Sequence, residues 1–471
     1  MLEQLTFHRI FSKTMYKNLS LPLGEMTFTK DFVNAEYGDL YPIILKSSGC
    51  TELVEQNCYW IQNGCIERMF TRFFPYATYE ISFDCENGSC GFTFHFPSDR
   101  FEIVCTEQDV SFWDGFQKIK TPFQNAEDSN TMIVSCRPGA FDVYFLSNDQ
   151  PQYFHTFQSE RCLASNLQTV FESSYVSINA SGRVQIKRVR SYIDCGISQA
   201  DIRAVRYENG EAVFEHGKLY FTASIRMQQG SFQGVFAWIP STSNIELTGA
   251  LFFDCGDGVW RNYLASSLLY HRKTKEWYLW VSSCGHKHIL CHASFAGEPR
   301  FGVNVIDVVM METLDGGNET AFVGFQGDED PDFYYNEQEE QWYMAICRLC
   351  SGSRQYRYLF FKSKDPFSGY TYIGQGYEGA ETGGSFVKIK GETAFVCGND
   401  FNKRANYRIY TKAGMQEAAF DFDDGGFRGW GTIIPVTMGS RKRYFWLTFD
   451  RHKGSGYNWS YGNLYCFELK R

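Results

Sequence analysis

Leu219-Tyr-Phe-Thr-Ala-Ser224 is an apolar, aromatic run that ends in small polar residues, and the chain writes it four more times. The other copies are Trp277-Tyr-Leu-Trp-Val-Ser-Ser283, Trp342-Tyr-Met-Ala-Ile-Cys347, Thr393-Ala-Phe-Val-Cys-Gly398 and Tyr444-Phe-Trp-Leu-Thr-Phe-Asp450. Runs this short, rich in aromatic and β-branched side chains, read as strands. They recur roughly every 50–65 residues, the spacing of a radial all-β array. Five copies predict a ring of five blades. A turn precedes each of the first four copies: Gly217-Lys218, Lys273-Thr-Lys275, Glu337-Gln-Glu-Glu340 and Gly391-Glu392. Ahead of each turn an inner strand is expected. Such a ring gathers one end of every inner strand around a single axial pocket, so residues far apart in sequence can share a site.

Upstream, residues 1–200 read as short alternating strands. Examples are Tyr79-Glu-Ile-Ser-Phe-Asp84, Gly91-Phe-Thr-Phe-His-Phe96, Arg100-Phe-Glu-Ile-Val-Cys105 and Phe141-Asp-Val-Tyr-Phe-Leu146. Glu86-Asn-Gly88 reads as a hairpin turn, and the stretch from Val176 to Val189 as a final hairpin. Strands of this length and spacing suggest a two-sheet sandwich of jelly-roll or concanavalin type. The alternation stops at Gly196-Ile-Ser-Gln-Ala-Asp201, where the domain boundary is expected. The fold class is therefore all-β, with a β-sandwich over 1–198 and a five-bladed β-propeller over 199–471.

The totals narrow the function. The chain has 471 residues, 17% of them aromatic, and a net charge of −9. The plainer reading of the aromatics is β core; the functional one is that some rings line a sugar or nucleobase pocket. Arg441-Lys-Arg443 falls in an apparent hairpin turn and no basic stripe exists, which argues against a nucleic-acid partner. No run is long enough to span a bilayer, and no basic-then-apolar leader follows Met1. Sixteen scattered cysteines inside apolar strand patterns read as reduced thiols, and a cytoplasmic location is the expectation.

The carboxylates before the inner strands carry the chemistry. Gly327-Asp-Glu-Asp-Pro-Asp-Phe333 opens the third repeat. Aligning the repeats puts Asp330 level with Glu211, in Tyr207-Glu-Asn-Gly-Glu-Ala-Val-Phe214. Glu381, in Gly379-Ala-Glu-Thr-Gly-Gly-Ser-Phe386, falls within about two residues of that level. Three acids from three blades would then share one well. Close carboxyls push one pKa upward, which separates a proton donor from an ionised neighbour, as glycosidic cleavage requires. The plainer reading is turn chemistry, since Asp before Pro commonly starts a turn.

Asp330-Pro-Asp-Phe-Tyr-Tyr335 followed by Trp342-Tyr-Met344 resembles the third-blade signature of glycoside hydrolase family 43, and Glu381-Thr-Gly-Gly-Ser-Phe386 resembles that family's fourth-blade acid motif. The resemblance covers about the last 270 residues. It implies a five-bladed propeller glycosidase acting on an oligosaccharide, with inversion by direct attack of water. It further implies Glu381 as general acid, Asp330 as the residue that orients and tunes it, and a first-blade carboxylate as base. The family shows Asp-Pro at that first-blade position. Here Glu211 is the first choice, with Glu208 second and Asp201 nearby.

Loops after the second strands supply expected substrate binders: Arg226, His286, His288, Arg348, Asn399, Arg404 and His452, with Asp257 just upstream of the second blade. Singly, each reads more plainly as a solvated loop residue; recurrence at one point of successive repeats is the argument. Cys284-Gly-His-Lys-His288-Ile-Leu-Cys291-His292 holds metal-ligand types, but Cys291 and His292 would point to opposite faces of a strand. Cys347-Arg-Leu-Cys350 lacks a second pair. No cofactor or catalytic metal is expected; a structural cation in the propeller channel is the one inorganic group the resemblance allows. Two rivals remain from the sequence: a glycoside phosphorylase using Arg226, Arg348 and Arg404, and a non-catalytic carbohydrate-binding protein. Oligomeric state is left open.

Overall fold

The computed structural model describes residues 5–14, 19–29, 32–36, 42–123, 130–148, 150–196, 198–226, 231–283, 288–321, 327–352, 355–377, 381–399, 406–420, 427–450 and 463–470. Strands dominate them. The helical content is a 3-10 segment, Glu160–Asn166, and a four-residue helix, Gln168–Phe171. The chain divides into two compact units: Met1–Leu19 with Cys195–Asp257 and Arg261–Arg471, and Ser20–Asp194 with Gly258–Trp260.

The first unit is a five-bladed β-propeller. Its inner strands are Ser198–Ala204 (blade I), Leu264–His271 (II), Asp328–Asn336 (III), Glu381–Ile389 (IV) and Phe427–Met438 (V). Each packs on the next, and the fifth returns to the first, which closes the ring. The five repeated phrases form the second strands: Lys218–Arg226, Glu276–Ser282, Gln341–Leu349, Glu392–Asn399 and Arg441–Asp450. Their rings fill the gaps between blades rather than the axis. Trp280, Phe333, Trp342 and Met344 share one core between blades II and III, and Tyr407, Trp446 and Phe467 share another between blades IV and V. Blade III and blade IV each have four antiparallel strands, whereas blade I ends in an added parallel edge strand, Gly302–Asp307.

Blade V draws on both ends of the chain. Phe7–Thr14 pairs antiparallel with Asn463–Leu469, from Phe7 opposite Leu469 to Thr14 opposite Asn463. The Phe7 ring meets Trp446 edge-on at 5.1 Å. The expected sandwich beginning at residue 1 is corrected accordingly: the N-terminal strand belongs to the propeller because its apolar side chains complete the blade V core.

Among the described residues, the second unit hydrogen-bonds its fourteen strands into one network, not into two separate sheets. Two long strands, Thr78–His95 and Tyr175–Asp194, run through it. Both expected hairpins are absent. Gly182 has φ +79° and Asn87 φ +56°, yet each chain kinks and continues. The kinks lie opposite each other: a Cβ on Gly88 would strike the Ser181 carbonyl, and one on Gly182 would strike the Asn87 carbonyl. Two strands that bend together keep their ladder on either side, so the turn residues make a shared bulge. Trp260 of this unit lies against Phe74 and Phe171.

Candidate active site

The inner strands share a defect. Pairing with the second strand slips between Ala200 and Arg203, Leu264 and Ser267, Glu329 and Asp332, and Thr382 and Ser385. At each slip one residue enters the left-handed region: Asp201 (φ +54°), Ala265 (+55°), Asp330 (+51°) and Gly383 (+59°). Glycine and aspartate tolerate that conformation better than most residues. A bulge turns a side chain out of the ladder, and this one recurs at one end of four successive blades.

The small polar residues that end the repeated phrase hold these bulges. Ser224 Oγ accepts the Ala265 amide at 3.0 Å, and Ser282 Oγ accepts the Asp330 amide at 2.9 Å. In blade III the aspartate plays that part, because Asp330 Oδ2 accepts from the Gly383 amide and from Thr382 Oγ1, both at 3.1 Å. Each of these blades thus satisfies the bulged amide of its successor, which a larger or apolar side chain at the phrase end would not do.

One step further along the axis lies a second layer, with Arg203, Ser267, Asp332, Ser385 and Thr432 at matching register. Asp332 is fully buried; it accepts from Ser267 Oγ at 2.5 Å, from the Phe386 amide at 2.6 Å and from the Arg206 guanidinium. Arg206, on a strand of the blade II sheet, also reaches the Phe386 carbonyl at 2.6 Å, so one ion pair ties three blades. Ser385 meets Thr432 at 2.7 Å. Through Ser267, Asp332, Ser385 and Thr432 this layer clasps blades II to V next to the Asp201–Asp330 level.

Electrostatics separate the two levels. Burial pushes the Asp330 carboxyl up and neighbouring Glu329 adds to this, while Arg203, the Gly383 amide and Thr382 oppose without cancelling it. Arg203 is itself fully buried. Burial works against its charge, but Tyr358, Asp330, Asp332 and Asp201 outweigh it and raise the guanidinium further. Arg203 therefore sits among acids drawn from blades I and III.

Of the residues expected from the sequence, Asp330 alone of the three acids faces this level. Glu211 is corrected: it follows the inner strand of blade I, is half exposed, and lies 3.8 Å from Lys442. Lys442 sits at the hairpin where Met438 pairs with Arg441, the far end of the blade V inner strand. Glu208 is also at that far end, bonded to Arg272 at 2.6 and 2.8 Å. Burial alone would raise the Glu208 carboxyl, but Arg272 holds it below the usual range. Glu381 lies on an inner strand but turns outward between third strands. Its carboxylate takes the Arg408 guanidinium at 2.9 Å, the Tyr358 amide at 3.1 Å and the Tyr410 hydroxyl, and the residue has no exposed surface. Burial raises its pKa, and those three donors offset only part of the rise.

The expected binders divide likewise. Arg348 is buried and grips Asp328 through two bonds of 2.6 and 2.9 Å, so it is a structural residue and not a rim cation. Asp257 pairs with Arg261 in an exposed turn. His288 Nδ1 lies 2.7 Å from Glu329, which places it beside Asp330. His286, Arg404 and His452, and the side chains of Arg226 and Asn399, lie outside the described residues. Among the described residues no cluster of three or more His, Cys, Asp or Glu forms a metal site. The repeat alignment passes over Asp201 in favour of Glu211, and it does not single out Arg203 or Asp332. A signal exists: Asp201-Ile-Arg-Ala matches Asp330-Pro-Asp-Phe as an aspartate followed two residues later by a charged residue and then an apolar one.

No protein-family model matches the chain, and no curated protein matches it in sequence. Among solved structures, a Bacillus megaterium levansucrase mutant aligns with a TM-score of 0.41 and 10% identity, over 58% of this chain and 85% of that one. An inulosucrase from Halalkalicoccus jeotgali bound to kestose aligns at 0.42 and 10%, over 56% and 78%. An endo-1,4-beta-xylanase from Bacteroides thetaiotaomicron aligns at 0.36 and 12%, over 58% and 94%. No residue role is carried over from them.

Proposed function

We propose that the protein is a carbohydrate-active enzyme that cleaves a glycosidic bond at the bulged end of the propeller axis, with Asp201 and Asp330 as its acid–base pair. The observation that carries this reading is the equivalence of the two aspartates. Both occupy the left-handed bulge of an inner strand, in blades I and III, and both lie within electrostatic reach of Arg203. Strained, buried acids at a convergent point are a functional signature when the observation comes first.

The roles follow from environment. Asp330 is buried, meets only neutral hydrogen-bond donors and has its pKa raised, which suits the proton donor to the leaving oxygen. Asp201, beside a fixed guanidinium, suits the base that activates water. The proposed course is inversion, with the attacking water activated by Asp201 and the leaving oxygen protonated by Asp330. This assignment replaces Glu211 and moves the acid role from Glu381 to Asp330.

A panel of aryl glycosides and short oligosaccharides, assayed with and without phosphate, tests the reading, with product anomers followed by NMR. Turnover that disappears in Asp201→Asn and Asp330→Asn but survives Glu211→Gln supports it. Turnover that survives both aspartate substitutions sinks it. The burial of Glu381 favours a second reading, carbohydrate binding without cleavage. Calorimetric binding of a sugar on which the wild-type protein shows no turnover would establish that one instead. The phosphorylase variant loses one of its three arginines, since Arg348 is committed to Asp328.

A further inference from the structure

Three cysteines meet within the second unit. Cys90 and Cys105 stand directly opposite each other on antiparallel strands, Thr78–His95 and Arg100–Cys105. At the hairpin end of this ladder, Phe96 and Asp99 exchange both backbone hydrogen bonds. Hydrogen-bonded and open pairs alternate along such a ladder, so the Cys90–Cys105 pair is of the bonded type, with Cα atoms about 5.5 Å apart. The Cα spacing lies inside the disulfide range, while the Cβ atoms of a bonded pair, about 5.5 Å apart, stand wider than the about 4 Å a disulfide prefers, so the strands must draw together to close the bond. The strands also press together here: a Cβ on Gly91, the next residue, would strike the Ile103 carbonyl.

Cys85 completes the group. It interacts electrostatically with both Cys90 and Cys105. The three differ in access: Cys90 and Cys105 are buried, whereas Cys85 is half-buried. Burial raises all three thiols. The rise is large for Cys90, reaches about 12 for Cys105, and is partly offset at Cys85 by the Gly88 amide. The structure holds all three as free thiols. Thiol exchange is governed by thiolate fraction and access together, and both favour Cys85 as the point of entry.

We propose that Cys85, Cys90 and Cys105 form a redox-responsive modification site, in which Cys85 captures a low-molecular-weight disulfide and the opposed pair Cys90–Cys105 closes into a reversible cross-strand disulfide. In the first step the Cys85 thiolate attacks one sulfur of the small disulfide and releases one small thiolate. The Cys105 thiolate then attacks the Cys85 sulfur and displaces the second small thiolate. Attack by Cys90 on Cys105 moves the disulfide to the opposed pair and returns Cys85 as a thiol. In sum, two protein thiols are oxidised by two electrons, one small disulfide is reduced to two thiols, and two protons pass to them. A cross-strand bond held in ladder geometry carries strain, which makes it easily reduced and therefore reversible. The site is independent of the propeller chemistry.

The test uses the whole folded protein with oxidised glutathione at mildly alkaline pH, followed by alkylation, digestion and mass spectrometry. The expected product is a Cys90 peptide joined to a Cys105 peptide, two hydrogen atoms lighter than the pair, and lost again on treatment with dithiothreitol. In Cys85→Ser it forms more slowly, by about tenfold, because the remaining thiols are buried and less ionised. A brief pulse of alkylating reagent that caps Cys85 before oxidation gives the same slowing without any substitution. A link that forms only after unfolding in urea overturns the site. A link that forms equally fast with Cys85 replaced or capped overturns its gateway role.

Discussion

Asp330 and Asp332 are two residues apart on one strand, both buried, and they do opposite work. Asp332 is matched by a guanidinium, a hydroxyl and an amide, and it holds three blades together. Asp330 meets a hydroxyl and an amide but no ion-paired arginine, and its pKa is driven up. Two other buried acids of the ring also have an arginine: Asp328 pairs with Arg348 and Glu381 with Arg408, although burial still raises the Glu381 carboxyl. The Asp332 carboxylate is held by its network, whereas Asp330, given neutral hydrogen-bond donors, is driven toward its protonated form by burial. The difference lies in the partners that the neighbouring blades present, and not in residue type or depth.

The comparison breaks most visibly at Asp332. Asp332→Ala leaves Arg206 buried without its counter-ion and should cost about 3–5 kcal/mol. Chemical denaturation measures this, and replacing Arg206 by Met in the same chain should recover much of the loss. Asp330→Asn should do the reverse. Its side-chain oxygen still accepts from Thr382 and Gly383, so stability near neutral pH should hold while turnover falls about 100- to 10,000-fold.

The pH dependence sharpens the same point. A carboxyl whose folded pKa is raised stabilises the native state below its unfolded pKa, and that contribution is lost as pH rises through the folded value. Wild-type protein should therefore lose, as pH rises above the unfolded carboxylate range, a stability increment that Asp330→Asn does not lose. Paired denaturation curves across that window read the difference, and parallel curves would refute the raised pKa. Ser282→Ala should cost about 1–3 kcal/mol by leaving the Asp330 amide without its acceptor. Smallest of all is Glu211→Gln: a half-exposed residue paired only at 3.8 Å should change stability by under about 0.5 kcal/mol and turnover not at all.

The residues whose sequence context misleads do so for one reason. Asp201 reads as linker because alternation fails over Gly196–Asp201. Alternation fails because the inner strand bulges there, and the bulge is what turns the aspartate out of the ladder. With blade I thus displaced, the repeats align on Glu211, beyond the end of the inner strand. The sequence places Glu381 on the correct stretch of chain, but its direction depends on Arg408, Tyr410 and Tyr358, which come from two third strands. The kinks at Asn87 and Gly182 likewise imitate hairpin turns, and only their mutual contact shows that the strands continue.

The amino-acid order alone determined the all-β class, the number of blades and the second strands, because those depend on a local period and a repeated apolar phrase. It also located the Asp330 motif. Tertiary structure decided which acid faces which end of the axis, which arginine neutralises it, and that the N-terminal strand completes blade V. Those outcomes rest on contacts between blades that are distant in sequence, where a one-residue bulge or a partner on a neighbouring strand reverses the direction of a side chain without leaving a local mark.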